Sequence, residues 1–485
     1  MDVYLVGIGM TKFGALPDKS VKDIAGDAVN AALVDAGIGI DAIETAYFAN
    51  ATQGALEGQH MIPGQVALRS IGLQGVPVVN VENACASAST AFSLACKDIR
   101  AGDSSIALAV GAEKMITPDK AKNIAVFDGA IDVHGREATL SGLMALSNGF
   151  EQPPEAFEET GIRSVFMDVY AAIAKHHMKL HGTTQRQMAA VSAKNHNHSV
   201  HNELSQFRKS FTIDEVLEAR KISWPLTLPM CSPISDGGAA AILCSEEALD
   251  RFDKSQAVKV AASVIATGSE RDPDNGNLHV TRVAANLAYE RSGVGPEDMS
   301  VSEVHDASAI AEIMQTENLG FCEIGEGGAL AESGATTIGG RIPVNPSGGL
   351  ESKGHPIGAT GLGQIYELAR QLRGEAGARQ VEDARFGIAE NGGGMHGIEE
   401  AVACDGNAHP PYGRANRGEK SEDVNLFKVE ISAIAVDCPL GNTHKMLAIQ
   451  RHSKGHDPPR SHWRRHTSDR RSRHHRRHDV RVEST

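Results

Sequence analysis

The chain has 485 residues, with 47 basic and 61 acidic side chains, a formal charge of −14 and 41% apolar residues. That is enough apolar material for a large buried core, while the acidic balance and the 4% aromatic content speak against a nucleic-acid binder built on phosphate contacts or base stacking. Seven cysteines (85, 96, 231, 244, 322, 404 and 438) with no Cys-x-x-Cys spacing indicate neither a disulfide framework nor a zinc ribbon.

In chain order, positions 1 to about 115 alternate strand and helix patterns. A strand-like run, Val76 to Val81, gives way to a small-residue helical run, Ala86 to Ile99, and Ile106 to Val110 reads as the next strand. From about 116 to 230 the pattern is less regular. It holds the Asn148–Pro154 turn and helical stretches at Ile162–His181 and Thr184–His198. Ile242 to Cys244 returns to strand, and a second strand and helix set runs from about Val258 to Ala403.

Cys85 sits between the Val76–Val81 strand and the following helix. A thiol at a helix N-terminus meets unpaired N–H groups and the positive end of the dipole, which favour thiolate, the nucleophilic form. On residue type alone Cys85 would pass for a small buried apolar residue. Two later motifs turn that reading. One is Asn345–Gly361, a glycine-rich loop that carries His355 beside Pro356 and leads into an apolar-periodic helix (Leu362, Ile365, Leu368, Leu372). The other is Phe386–Gly397, where a strand is expected to run into a tight turn at Gly392, Gly393 and Gly394, with Glu390 and Asn391 at its mouth. Adjacent glycines can offer backbone N–H groups to a developing oxyanion.

Together these motifs resemble the thiolase superfamily over roughly residues 1 to 404. Val3–Gly14, Val110–Met115, Cys231–Ala241 and Glu303–Ser308 add to the likeness. Biosynthetic and degradative thiolases carry Asn-Glu-Ala-Phe at the last of these. The branch similar to the thiolase part of sterol carrier protein X carries His-Asp-Cys-Phe, and this chain has His305-Asp306-Ala307-Ser308. The resemblance implies a duplicated α/β fold in five layers, α/β/α/β/α. An N-terminal half would span 1–250 with a loop domain at about 116–230, and a C-terminal half 256–404. Residues 405–485 would form an atypical extension.

The resemblance also implies roles. Cys85 matches the acyl-accepting nucleophile and His355 the histidine that activates it. His305 matches the acid/base of the sterol-carrier branch. Gly392, with the N–H of Cys85, matches the oxyanion hole. Glu390 stands where a standard thiolase has its second catalytic cysteine. It is either a proton shuttle with a raised pKa or a solvated strand-end carboxylate. The implied reaction is cleavage of a 3-oxoacyl-CoA by CoA through an acyl-Cys85 intermediate, or the reverse Claisen condensation. Coenzyme A enters as substrate, with no other cofactor and no metal. Two alternatives stand beside it: a retro-aldolase of the same fold acting on a 3-hydroxyacyl-CoA with a small OB-fold partner, and a non-catalytic acyl-CoA or lipid carrier. A homodimer or homotetramer is the family expectation.

Met1-Asp2-Val3 lacks a basic leader and no apolar run is long enough for a membrane span, so a cytoplasmic protein without membrane attachment is expected. Residues 451–485 hold eleven of the basic residues but only four of the acidic ones. That tail has almost no apolar residues. It is expected to be disordered and reads as an unselected extension.

Overall fold

The computed structural model describes residues 1–154, 156 and 164–408. The expected disordered tail, and a strand pair anticipated at Val424–Val436, lie outside the described residues.

Eleven strands are present among the described residues: β1 (Val3–Met10), β2 (Thr45–Ala49), β3 (Val78–Val81), β4 (Ile106–Glu113), β5 (Lys221–Ser223), β6 (Leu226–Thr227), β7 (Gly237–Ser245), β8 (Val258–Thr267), β9 (Val301–Glu303), β10 (Phe386–His396) and β11 (Glu399–Ala408). Nine of them form one mixed sheet in the order β3-β2-β4-β7-β1-β8-β11-β10-β9, and β5 and β6 pair separately. The large sheet has two lobes that meet at β1 and β8, where Tyr4 faces Lys259 and Leu5 faces Val258.

Period-2 alternation sets which core each strand feeds. Val3 and Leu5 enter one core, and Tyr4 and Val6 enter another. The register of β1 against β7 shifts between Leu5 and Gly7. After this bulge Ile8 and Met10 also face the first core, so one extra residue re-aims the strand without exposing an apolar side chain. The first core holds the Ser87–Ala101 helix (Ala88, Ala91, Phe92, Ala95, Ile99) and the Thr360–Leu372 helix (Leu362, Ile365, Leu368, Leu372), packed against strands of both lobes. The Val21–Ala36 helix covers the outer face of the N-terminal lobe, and the Val280–Ser292 helix that of the C-terminal lobe. The layers therefore run helix, sheet, helices, sheet, helix, and the two central helices carry the ends that will matter for chemistry.

Between β4 and β7 the chain forms helices at Val165–His181 and Gln185–Ser199 and the β5–β6 hairpin. Its apolar residues Met188, Val191, Val216 and Leu226 share a core with Ile310, Ile313 and Leu350, so this region rests on the C-terminal lobe.

Two sequence expectations change. Gly392–Gly394 do not form the turn: β10 runs on through them to His396, and the reversal comes between His396 and Glu399. The apolar stretch also understates the last strand. β11 continues past Cys404 to Ala408, with Asp405 opposite Ala389 and Ser263. Asp405 is fully buried and accepts a hydrogen bond from the Ser263 hydroxyl. A polar residue with a partner can extend a central strand that hydropathy would end.

Backbone closeness locks the lobe to the glycine loop. A Cβ on Gly111 of β4 would lie 1.9 Å from the carbonyl oxygen of Gly358. Gly111→Ala is expected to cost about 1–3 kcal/mol of stability as an overpacking change. Gly142→Ala, in a helix where a Cβ would meet nothing within 4 Å, should instead stabilise by about 0.5–1 kcal/mol. Denaturant unfolding of the two variants beside the parent checks the opposite signs.

Candidate active site

A cavity of about 1420 Å³ opens where the two central helices begin. Cys85, His305, His355, Gly393 and Gly394 line one part of it, and Phe127, Ile131, Phe166, Tyr170, Ile222 and Leu228 line the rest. It is larger than the usual small-molecule pocket of about 300–1,000 Å³.

Cys85 lies in a single tight turn, Ala84–Ala86, just ahead of the Ser87–Ala101 helix. Ala84 has φ +44°, a strained value for a residue with a Cβ. The turn is tied down from both sides: the Ser87 hydroxyl donates to the Ala84 carbonyl at 2.6 Å and accepts from the Asn83 N–H at 2.8 Å. Strand β10 presses on it. A Cβ on Gly393 would lie 2.6 Å from the Ala86 nitrogen and 2.8 Å from the Cys85 nitrogen. Only glycine lets that strand pass so close to the Cys85 backbone. The closest approach is thus at Gly393, one residue beyond Gly392, which lies in β10 opposite Val402.

His355 comes from the far end of the chain. Its N–H donates to the Ser235 hydroxyl at 2.8 Å, anchoring the loop to the segment before β7. Upstream, the carboxylate of Asp306 accepts from the Leu350 N–H at 2.7 Å and from the Glu351 N–H at 3.3 Å. Gly349, at φ +60°, has no room for a Cβ beside that carboxylate, which would be 2.1 Å away. The loop is therefore built around Asp306, the neighbour of His305.

The imidazoles have a definite protonation pattern. The Thr360 hydroxyl lies 3.0 Å from the Pro356 carbonyl, and with its hydrogen directed there it accepts from His355 Nδ1 at 2.7 Å. Nδ1 then carries the hydrogen, and Nε2 presents its lone pair to Cys85 Sγ at 3.2 Å. A second chain fixes His305. Gln364 Nε2 donates to the Glu390 carbonyl at 2.9 Å, which turns Gln364 Oε1 towards Asn391 Nδ2 at 3.2 Å. The same Asn391 amide nitrogen lies 3.5 Å from His305 Nδ1. An amide nitrogen only donates, so Nδ1 of His305 accepts and its Nε2 carries the hydrogen. The two rings stand edge to face with centroids 5.2 Å apart. One ring nitrogen of each histidine and Cys85 Sγ all lie within 4.8 Å of one another.

Both rings are held neutral. Burial pushes His305 down from 6.5 to about 4. Burial, and then the repulsion that His305 would exert if both rings were protonated, hold His355 well below its ordinary value. The free site thus contains two neutral imidazoles, one offering a lone pair and one a hydrogen.

Three of the four side chains singled out in the sequence meet here. Glu390 does not join them in the cavity. Its carboxylate accepts from the His305 backbone N–H at 3.0 Å and from the Thr281 hydroxyl at 3.3 Å. The reason is the pleat: in β10, Asn391 and Gly393 share one face and Glu390 takes the other. It is not a solvated strand-end carboxylate either, since it is fully buried. Thr360, and Asn391 beyond its place at the mouth of the expected turn, were given no role in the sequence reading although both lie inside the quoted motifs. Period-2 alternation back from Gly393 was the signal for Asn391.

Residues 3–217 match the family described as thiolase, N-terminal domain, and residues 263–403 that described as thiolase C-terminal domain-like. The chain is 38% identical to sterol carrier protein 2 of Bos taurus, over 80% of this chain and 69% of that one. It is also 38% identical to an acetyl-CoA acetyltransferase of Methanothermobacter thermautotrophicus, over 82% of this chain and 97% of that one. Among solved structures it is similar to the Ltp2-ChsH2(DUF35) aldolase, with a TM-score of 0.66 at 19% identity over 85% of this chain and 98% of that one, a likeness of fold. The chain belongs to the thiolase family of acyl-transferring enzymes.

Proposed function

We propose that the protein cleaves 3-oxoacyl-CoA thioesters with CoA, or runs the reverse condensation, through an acyl-Cys85 intermediate. The observation that carries this reading is the 3.2 Å contact between Cys85 Sγ and a His355 Nε2 whose lone pair is aimed by Thr360. His355 takes the thiol hydrogen as Sγ attacks the 3-keto carbon. The oxyanion formed there is held by the Cys85 N–H and a glycine N–H of β10, Gly392 in the family's pattern. The carbon–carbon bond then breaks, and the acetyl-CoA part leaves as an enolate. The Nε2–H of His305 donates to the enolate oxygen, and the proton that His355 collected goes to the enolate carbon. CoA thiol, deprotonated by His355, takes the acyl group from Cys85.

In this reading Glu390 is a positioning residue: by accepting the His305 N–H it fixes the backbone from which the imidazole projects. The cavity's breadth and aromatic lining fit a bulky acyl chain, and Arg220 on its wall offers a cation for CoA phosphate. A homodimer or larger assembly and a cytoplasmic setting belong to the same proposal. Among the described residues no helix is long and apolar enough to cross a membrane.

A second reading is retro-aldol cleavage of a 3-hydroxyacyl-CoA with a small partner. It is favoured by one observation: the position expected to hold a second thiol holds Glu390, turned away from the cavity. That reaction would not need an acyl-thioester on the protein.

Incubation with acetoacetyl-CoA should add an acetyl group to Cys85, seen by intact-mass and peptide spectrometry, and Cys85→Ser should lose it. A parent enzyme that cleaves only 3-hydroxyacyl thioesters, with no adduct, would favour the second reading. His305→Ala should lower kcat by about 10²–10³-fold, the loss typical of one oxyanion-type donor, whereas His305→Asn, which keeps an N–H donor, should recover much of it. Equal loss in both would make His305 an acid/base instead. The pH profile supplies an independent check. Both histidines are neutral above the depressed values, so kcat/KM should stay flat as pH falls through 6.5, the ordinary histidine value, towards the region near 4 set by His305. A limb centred on 6.5 would contradict the neutral pair.

A further inference from the structure

We propose that Cys85, His305 and His355 also form a three-ligand site for a soft divalent cation, Zn²⁺ foremost, whose binding reversibly blocks acyl transfer. The inference rests on the reading above only in that Cys85 is the acyl acceptor. The ligand set carries it. One sulfur and two ring nitrogens lie within 4.8 Å of one another. Thiolate with imidazole is the combination that selects zinc over magnesium or calcium. Zinc bonds of about 2.3 Å to sulfur and 2.0–2.1 Å to nitrogen place neighbouring tetrahedral ligands about 3.5 Å apart. The Cys85–His355 pair, at 3.2 Å, is already close to that spacing. His305 needs to move by up to about 1.5 Å to bring a spread of 4.8 Å to that spacing. Three protein ligands leave the fourth position to water or substrate from the cavity.

The surroundings are those of a metal site. Metal-binding histidines normally give their other N–H to an oxygen that fixes the ring. His355 does so through Nδ1 to Thr360. For His305, Asn391 Oδ1 is buried and finds no hydrogen-bond partner among the described residues. Turning that amide over would present Oδ1 to Nδ1–H and release Nε2 as a ligand, at the expense of the 3.2 Å bond to Gln364. Cys85 binds as thiolate, its proton passing to solvent, and no oxidation state changes. The sulfur that a metal occupies cannot attack a carbonyl.

Cobalt(II) is the probe, because a cobalt–thiolate bond gives a charge-transfer absorption in the near ultraviolet. The histidines of residues 451–485 can hold cobalt but supply no sulfur. Titrating the full-length, reduced enzyme should produce that band with one equivalent of Co²⁺, and Zn²⁺ should displace it. The band should vanish in Cys85→Ser and in parent enzyme alkylated at Cys85, which covers a misfolded variant. His305→Ala should weaken cobalt binding by at least about 10-fold. No band in the parent, a band that survives loss or blocking of Cys85, or unchanged affinity in His305→Ala would each overturn the proposal. Acetylation of Cys85 in the metal-free enzyme is scored separately, so failure of the metal site and failure of the thiolase reading are distinguishable.

Discussion

The site depends on one contact made across 270 residues of chain: the lone pair of His355 Nε2 against the sulfur of Cys85. Neither residue could hold it alone. Cys85 is fixed because its turn caps the Ser87–Ala101 helix, and His355 because its loop opens the Thr360–Leu372 helix. Those two helices share the central apolar core. Packing of leucine, isoleucine and alanine between two half-sheets therefore sets the distance between a thiol and an imidazole. An error of 1 Å in that packing is enough to lose a near-attack geometry. This gives the close glycine contacts their purpose: Gly393 against the Cys85 turn and Gly111 against the loop leave no slack in the approach.

Behind the visible residues lies a layer that spends charge to hold backbone. Lys353 donates to Glu303 at 2.9 Å, and Ser347 donates to the same carboxylate through its N–H and hydroxyl. Lys194 pairs with Glu312, which also accepts from Asn345 Nδ2 at 2.8 Å. Asn345 in turn receives the Val304 N–H at 2.9 Å, just ahead of His305. Buried pairs of this kind are poor sources of stability, since desolvation offsets most of their attraction. Their geometry explains them better. Each fastens a loop that carries one of the two imidazoles beside Cys85, and an apolar replacement could fill the space but could not fix a loop's backbone.

Much of this was legible in the sequence, and the limits of what was legible are physical. Cys85 and His355 announced themselves because a helix-opening thiol and a glycine-rich loop are costly for a chain without a reason for them, whereas His305 was legible only through the family likeness of Glu303–Ser308. The five layers followed from alternating strand and helix patterns together with the family likeness. The burial pattern of β11 did not follow, because Asp405 and Asn407 are polar in sequence yet buried and paired in the sheet. The glycines of β10 were misjudged as a turn for a related reason. Glycine marks both places where a chain reverses and places where another backbone comes close, and only the neighbour decides which. Neither the loop nor the strand motif reveals that Thr360 accepts rather than donates, since that rests on the carbonyl of Pro356.

Glu390 shows how a one-residue shift along a strand changes chemistry. Successive residues of β10 face opposite ways, so the position beside the His305 ring belongs to Asn391 and the adjacent carboxylate belongs to the layer behind. In the proposed thiolysis, a carboxylate there would place a negative charge next to the enolate that must be stabilised. An amide there is neutral, and in the proposed thiolysis it orients His305 so that the imidazole gives a hydrogen to the enolate oxygen. Turned away, the Glu390 carboxylate holds the peptide of His305 instead. The pleat thus separates two tasks that the sequence places side by side, orienting the ring and anchoring its backbone, and keeps the negative charge on the side where it cannot oppose the transition state.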